Sequence, residues 1–369
     1  MTDPDEPTAL IMGADKYCGN PYMSLLTDAL RDQGVTVLTP EPPIFFPLTR
    51  TALRNPDADV VHLDWLYDYY MTSDIGYPPI DKAISIFRAV AFLLDLVLIS
   101  LLSIAVVRTV HNKRHHGGKF RRTERLINEA VFLVADAVTV KCHAAAEIIA
   151  SVYRVPTAEQ LHVVPDGSYV SAYENDVSAA RARADLSIPP DRFVYLFFGL
   201  IREYKGVSDL MRAFMKLDVP NAKLWIVGNP HDEKIRREVE TLAGATDDVE
   251  TVLEFVPAER IQYYMNASDV LVLPYRDILN SGSAHLGLSY GRPIVAPKIG
   301  CLPETLPSEN RLLYDPNAED GLREALRRAY DHPDLDSIGR ANYEHAFDRN
   351  WASTATTLIT VYRRAIAGA

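Results

Sequence analysis

The segment Phe197-Phe198-Gly199-Leu200-Ile201-Arg202-Glu203-Tyr204-Lys205-Gly206 runs from an apolar strand through a glycine turn into a helix start. Such a junction presents free backbone N–H groups and a partial positive charge to an anion. Arg202 and Lys205 add two full charges there, and their spacing lets both side chains converge on one phosphate pair. The chemistry is that of a diphosphate site; the plainer reading is an exposed basic turn that caps a helix. Further on, Asn280-Ser281-Gly282-Ser283-Ala284 follows the apolar run Val270 to Leu273 and opens another helix. Small residues there let phosphate oxygens approach the backbone, and the two hydroxyls can donate. Alone, Ser281-Gly282-Ser283 is an ordinary N-cap, and its interest comes from sharing a domain with Gly199, Arg202 and Lys205.

A second set of groups lies in the first half. Asp64 and Trp65 end an apolar strand, and an aromatic beside a carboxylate suits a sugar, the ring covering C–H faces while the carboxylate binds hydroxyls. A core tryptophan is the alternative. Gly19-Asn20-Pro21-Tyr22 follows the first strand, where a glycine permits close approach of a ligand or simply forms a turn. His111 and Asn112 emerge from another buried strand, ahead of His115 and His116. Three histidines invite a zinc reading, but metal ligands need separated donors and a closed fourth position, so no metal is expected. His111 and Asn112 read better as substrate contacts, and Lys113 to Lys119 as a basic rim or a solvated loop. Asp166, in Pro165-Asp166-Gly167, either meets sugar hydroxyls, acts as a base or forms a turn.

Short apolar runs alternate with helical patterns along the whole chain, which reads as repeated βαβ units and an α/β class. Strands are expected at Ala9 to Met12, Val35 to Leu38, Val60 to Leu63, Ile104 to Val110, Ala137 to Val140 and His162 to Val164. A second series follows at Phe193 to Phe198, Lys223 to Val227, Val249 to Phe255, Val270 to Leu273 and Ile294 to Ala296. Two Rossmann-like domains facing a ligand cleft are the expected architecture. The boundaries are an N-terminal domain over 1–172, a linker over 173–190 closed by Pro189-Pro190, a second domain over 191–348 and a final helix over 349–369 that crosses back to the first domain.

With 49 acidic against 38 basic residues the net charge is −11, which opposes contact with nucleic acid phosphates. Cys18, Cys142 and Cys301 stand far apart with no paired spacing, so no zinc site is suggested. Residues 1–7 lack the basic and apolar regions of a signal peptide, and a cytoplasmic location is expected. Between Ala89 and Val107 nearly every residue is apolar, with Asp95, Ser100 and Ser103 the exceptions. A helix from about Asp81 to Leu102 followed by a buried strand accounts for this run. The alternative is a helix lying in the bilayer interface, which would suit a lipid-linked acceptor.

Four segments, Gly-Leu-Ile-Arg-Glu-Tyr-Lys-Gly, Phe-Val-Pro, Ala-Ser-Asp-Val-Leu-Val-Leu-Pro-Tyr and Gly-Arg-Pro-Ile-Val, occur in this order between Phe193 and Pro303. Together they resemble the donor domain of glycosyltransferase family 4, also called group 1. Thr109-Val110-His111-Asn112 likewise resembles the Thr-x-His-Asn element of these enzymes. The resemblance implies a GT-B fold, Arg202 and Lys205 on the donor diphosphate, Val256 beside the nucleotide base, and Gly19 and Asn20 on an acceptor-facing loop. It also implies retention of anomeric configuration, although an inverting route with Asp166, Asp64 or Asp15 as base stays open. One departure stands out. The family places two glutamates eight positions apart before the closing glycine, and counting back from Gly291 those positions hold Ile278 and Leu286. The chain resembles the branch with a Ser-Gly loop there.

The expected function is transfer of a hexose-type sugar from a UDP- or GDP-linked donor to a glycan or lipid-linked acceptor, with no cofactor and with peripheral membrane contact. The main alternative is a non-catalytic nucleotide-sugar-binding or scaffold subunit. A nucleotide-sugar epimerase or a phosphorylase shares the fold, but the latter needs a lysine-bound pyridoxal site of which there is no sign. A dehydrogenase is disfavoured because no GxGxxG follows the first strand.

Overall fold

In a computed structural model that describes residues 6–12, 21–71, 78–114, 121–154, 157–310 and 312–369, each half of the chain builds its own parallel sheet. The chain divides into two units, Met1–Gly167 with Trp351–Ala369, and Ser168–Asn350.

The sheet of the first unit holds β1 (Thr8–Met12), β2 (Thr36–Leu38), β3 (Val60–Leu63), β4 (Ala105–Thr109), β5 (Ala137–Val140) and β6 (Leu161–Val163), in the order β2-β1-β3-β4-β5-β6. Every pairing is parallel. All residues of β1, β3, β4 and β5 are buried, as a parallel sheet covered by helices on both faces requires. The C-terminal helix Trp351–Gly368 belongs to this unit, packing on helix Tyr22–Arg31 and on β4 through Leu358, Ile359, Tyr362 and Ala365.

The second unit holds β7 (Phe193–Phe198), β8 (Ala222–Val227), β9 (Val249–Val252), β10 (Val270–Val272), β11 (Ile294–Pro297) and β12 (Leu313–Tyr314), in the order β12-β11-β10-β7-β8-β9 and again all parallel. An aspartate just ahead of a strand recurs as a fastening device. Oδ2 of Asp59, Asp136 and Asp269 accepts the backbone N–H of Thr8, Val106 and Val194 at 2.8, 2.7 and 2.7 Å, tying the start of one strand to its neighbour.

Residues 173–190 are packed rather than a free linker. Helix Ala179–Asp185 lies on helix Ala258–Ala267, and Gln262 Oε1 accepts the N–H groups of Asp176 and Val177 at 3.0 Å each. The second unit starts at Ser168 because Ser168 N donates to Arg349 O at 2.7 Å and Tyr169 N to Ser289 Oγ at 2.9 Å.

The long apolar run forms helix Pro78–Ile99 and then β4. Ser85, Ala89, Phe92, Leu96 and Ile99 face inward, whereas Phe87, Val90, Leu94, Val97 and Leu101 are exposed. Among the described residues no helix is long and apolar enough to cross a membrane. Asp95, fully buried, serves the packing of the unit, because its two carboxylate oxygens accept Leu48 N at 2.7 Å and Thr49 N at 3.0 Å. These N–H groups open helix Pro47–Arg54, whose own N-cap residue, Phe46, supplies no side-chain cap. An anion at a helix N-terminus is favourable for the macrodipole and satisfies orphan donors. Asp95→Leu, though it makes the run more hydrophobic, is expected to lower stability by about 1–3 kcal/mol in urea unfolding. An unchanged or raised midpoint would show that the carboxylate is not a cap.

Candidate functional site

In the second unit the connections from β7 and from β10 leave in opposite directions, so the carboxyl ends of these neighbours form the crevice where open α/β sheets bind ligands. The strand-to-helix corner sits there. Gly199 has φ +129°, and a Cβ on it would lie 3.0 Å from Ser283 Oγ and 3.5 Å from Lys205 Nζ. The expected donor-side residues Gly199, Lys205 and Ser283 therefore meet at one point. Gly206, at φ +66°, turns the chain into helix Val207–Met215, and a Cβ there would come within 2.0 Å of Pro274 O. Only glycine fits.

Lys205 Nζ stands 5.4 Å from the ring centre of Tyr275, whose hydroxyl lies 3.1 Å from Ser281 Oγ. Ser281 Oγ also accepts Ala284 N, so it caps helix Gly282–Ser289 as the plainer reading held. Burial pulls the Lys205 ammonium below its ordinary value; Tyr204 opposes this and Arg202 adds to it. Among the described residues neither Arg202 nor Lys205 forms an ion pair, while the nearby Arg276 is matched by Asp209 at 2.5 Å. Lys205 Nζ thus stands at a corner built for close approach, with the Arg202 charge near enough to be felt by it. Val256 lies beyond β9, two strands away from Gly199. Ile278 and Leu286 are both buried.

In the first unit, β3, β4, β5 and β6 each release a polar residue shortly after their carboxyl ends: Asp64, His111, Lys141 and Asp166. Tyr22, which opens the helix after β1, joins them from across the point where the connections diverge. His111 Nε2 lies 2.7 Å from Asp64 Oδ1, and Tyr22 donates to the same oxygen at 3.4 Å. Lys141 Nζ donates to the Tyr22 hydroxyl at 3.1 Å and lies 2.6 Å from Asp166 Oδ1. Trp65 stacks on His111 at 4.8 Å with planes 12° apart, and Tyr22 meets the same imidazole edge-on at 5.0 Å. Beneath this group, buried Arg108 donates to the carbonyls of Leu63, Asp64 and Thr109, holding the strand ends together.

Asp64 is enclosed, and its Oδ2 accepts no hydrogen bond from the described residues. Burial would raise this carboxyl, yet His62, His111 and Lys141 hold it well below the usual carboxylate range. His62, behind it, lies between the Tyr362 hydroxyl at 2.5 Å and Thr109 Oγ1 at 2.7 Å. Burial pushes its imidazole down to about 4, against the pull of Asp64. Burial likewise lowers His111, with Asp64 opposing.

Asp64, Trp65, His111 and Asp166 thus gather at one edge, with half-buried Asn112 following His111. Gly19, Asn20 and Asp15 fall outside the described residues, as does most of the Lys113–Lys119 rim. Tyr22, His62 and Lys141 were not anticipated. Lys141, a cation directly after an apolar strand, was the signal available in the sequence.

Residues 192–332 match the family model described as Glycosyl transferases group 1. Over 278 residues the chain is 28% identical to a GDP-mannose:glycolipid 4-beta-D-mannosyltransferase of Xanthomonas campestris pv. campestris, an overlap of 75% of this chain and 70% of that protein. A D-inositol 3-phosphate glycosyltransferase of Segniliparus rotundus is 29% identical over 231 residues, 58% of this chain and 49% of the relative. Among solved structures, sucrose-phosphate synthase from Thermosynechococcus elongatus superposes with a TM-score of 0.74 at 20% identity, covering 99% of this chain and 100% of that one. Anabaena HepE in complex with UDP-glucose gives 0.69 at 14% identity, covering 96% and 98%. The fold is therefore two parallel-sheet α/β domains of the GT-B type.

His62 makes stability depend on pH with a definite sign. Its folded pKa lies below the unfolded value, so between about 6.5 and about 4 the unfolded chain takes up a proton that the folded chain refuses. Stability falls as pH drops through that window, by up to about 3 kcal/mol from this group. Urea unfolding of the wild type and His62→Asn at pH 7.5 and 4.5 is expected to show a shallower dependence in the variant; parallel losses would discount His62.

Proposed function

We propose that this chain is a glycosyltransferase that moves a hexose-type sugar from a nucleotide-diphosphate sugar to a hydroxyl of a glycan or lipid-linked acceptor. The observation that carries the reading is the corner where Gly199, Ser283 Oγ and Lys205 Nζ meet, with Arg202 close by and neither cation in an ion pair among the described residues. As the glycosidic bond breaks, negative charge grows on the departing diphosphate, and fixed cations and amides lower the barrier most when they are already in place. These groups supply the charge that a divalent metal supplies elsewhere, so transfer is expected to persist in excess EDTA. Match to the group 1 model over this segment supports the assignment, as do relatives named for GDP-mannose and for inositol phosphate.

The first unit offers the acceptor side. Trp65 provides an apolar ring face, and His111 and Asn112 provide polar groups beside it, with Asp64 buried behind His111. A non-catalytic sugar-binding role fits less well, because a purely binding surface has no need of a buried imidazole–carboxylate pair. The test is calorimetric titration of UDP and GDP into the wild type, Arg202→Ala and Lys205→Ala. Each variant should lose roughly 10- to 100-fold in affinity for one nucleotide, the value of a charge-assisted contact. Unchanged affinity in both variants would end the proposal.

A glycolipid acceptor has its own supporting observation. The exposed apolar face of helix Pro78–Ile99 continues into Ile44, Phe45 and Leu53 and, on the helix packed beside it, Leu126 and Leu133. Arg50, Arg54, Lys82, Arg121, Arg122 and Arg125 are exposed on the same elements, a basic border on a chain of net charge −11. Apolar surface on elements that also expose cations suits the boundary of an anionic bilayer. Co-sedimentation with vesicles containing phosphatidylglycerol should fall several-fold in Phe87→Glu/Val90→Glu, with nucleotide binding intact; equal binding would remove the membrane from the proposal.

A further inference from the structure

We infer that His111, oriented by Asp64, is the general base that takes the proton of the attacking hydroxyl, and that transfer inverts the configuration at the sugar carbon. The inference rests on the glycosyl-transfer reading and departs from the retention that the sequence resemblance implies.

Three carboxylates were candidates for a base, and the structure separates them. Asp166 is held by Lys141 at 2.6 Å, so its charge is already matched. Asp64 is enclosed and touches no solvent through which a hydroxyl could reach it. Asp15 lies outside the described residues. His111 is the most exposed of these side chains, 13% accessible against 6% for Asp166 and none for Asp64. Its Nε2 is committed to Asp64, which places the proton on that nitrogen and leaves the lone pair on Nδ1. Trp65 against one face and Tyr22 at the edge fix the ring plane, Arg108 holds the Asp64 backbone through its carbonyl, and the Tyr22 hydroxyl donates to the carboxylate. The result is a nitrogen base, its tautomer set by a buried anion, beside an aromatic surface of the kind that sugars pack on.

The step balances. The acceptor oxygen forms its bond to the anomeric carbon as its proton passes to Nδ1 of His111. The bond from that carbon to the diphosphate oxygen breaks, and its electron pair leaves with the diphosphate. The imidazolium that forms is stabilised by Asp64, a role that a carboxylate behind a catalytic histidine fills in other enzymes. Before the step the ring must be neutral. Burial and Lys141 favour that state, and Asp64 and, more weakly, Asp166 oppose it; His62 is neutral behind Asp64, while Tyr22 and Arg108 complete the surroundings. A retaining front-side reaction needs no such group, because the departing phosphate oxygen can take the proton itself.

The test uses UDP-glucose and GDP-mannose, both α-linked donors, with water and then octyl β-glucoside as acceptors. Proton NMR during the first turnovers, ahead of mutarotation, is expected to show the β anomer. His111→Ala should lose about 100-fold or more in turnover, with nucleotide affinity by calorimetry within about twofold of wild type and an unchanged melting temperature. Asp64→Asn, a positioning change, should lower turnover and move the acid limb of the pH profile to lower pH, since removal of the anion makes the ring harder to protonate. An α product, a turnover in His111→Ala within threefold of wild type, or nucleotide binding without transfer to either acceptor overturns the assignment of the base. Absence of nucleotide binding by the wild type instead overturns the glycosyl-transfer reading.

Discussion

Parallel strands all end on the same edge of their sheet, about 4.8 Å apart, so residues that follow neighbouring strands are brought within hydrogen-bonding range without any long-range design. Asp64, His111, Lys141 and Asp166 are adjacent for this reason alone, each leaving one strand of the series β3-β4-β5-β6. Gly199 and Tyr275 are brought together in the same way after β7 and β10. Once adjacent and buried, ionisable groups must be matched or neutralised, since an isolated charge in such a place is too costly. The first unit meets that condition internally: a carboxylate against two imidazoles, then a lysine against a second carboxylate. The second unit does not. Among the described residues its two cations after β7, Arg202 and Lys205, form no ion pair and are half-buried, which leaves their charge open to solvent or to the anion proposed above.

The apolar helix illustrates how a local pattern can carry two messages. Counted by composition, Ala89 to Val107 approaches the length of a membrane span. Asp95 breaks the count, and the structure explains why it is tolerated: two backbone donors of another helix are satisfied by its carboxylate. One face of the helix fills the core between sheet and neighbouring helices, and the opposite face is no less apolar although solvent-exposed. Packing accounts for the first face. It leaves the second unexplained, and the same elements expose Arg50, Arg54, Lys82, Arg121, Arg122 and Arg125.

Which features could be read from the sequence follows from how local their causes are. Strands β3, β5 and β7 match their expected bounds because each is a short, mostly apolar run, buried throughout in β3 and β5 and in all but Phe193 of β7. The two-residue β12 has no pattern long enough to detect. Residues 173–190 looked like a linker because they are polar and alanine-rich, but their packing depends on Gln262 and Asn266, which lie far along the chain. The same distinction applies to the sites. Gly199, Arg202 and Lys205 form one contiguous motif and were evident; Tyr22 and Lys141 acquire meaning only through strand order, which composition does not reveal.

Ile278 and Leu286 occupy positions where the family pattern has carboxylates, and both are buried in the second unit. A glutamate placed there would need a partner to offset its desolvation. Apolar side chains avoid that cost, and the second unit lacks at these positions the carboxylates that the family pattern assigns to donor-sugar and ribose hydroxyls. Negative charge of that kind is concentrated instead in the first unit, where Asp64 sits behind an imidazole and Asp166 against a lysine. A corner whose charges are cationic would suit the holding of a diphosphate and its stabilisation as it leaves, whereas activating a hydroxyl requires a base. In the proposed reaction the two roles fall to separate units, with Arg202 and Lys205 following β7 and His111 following β4.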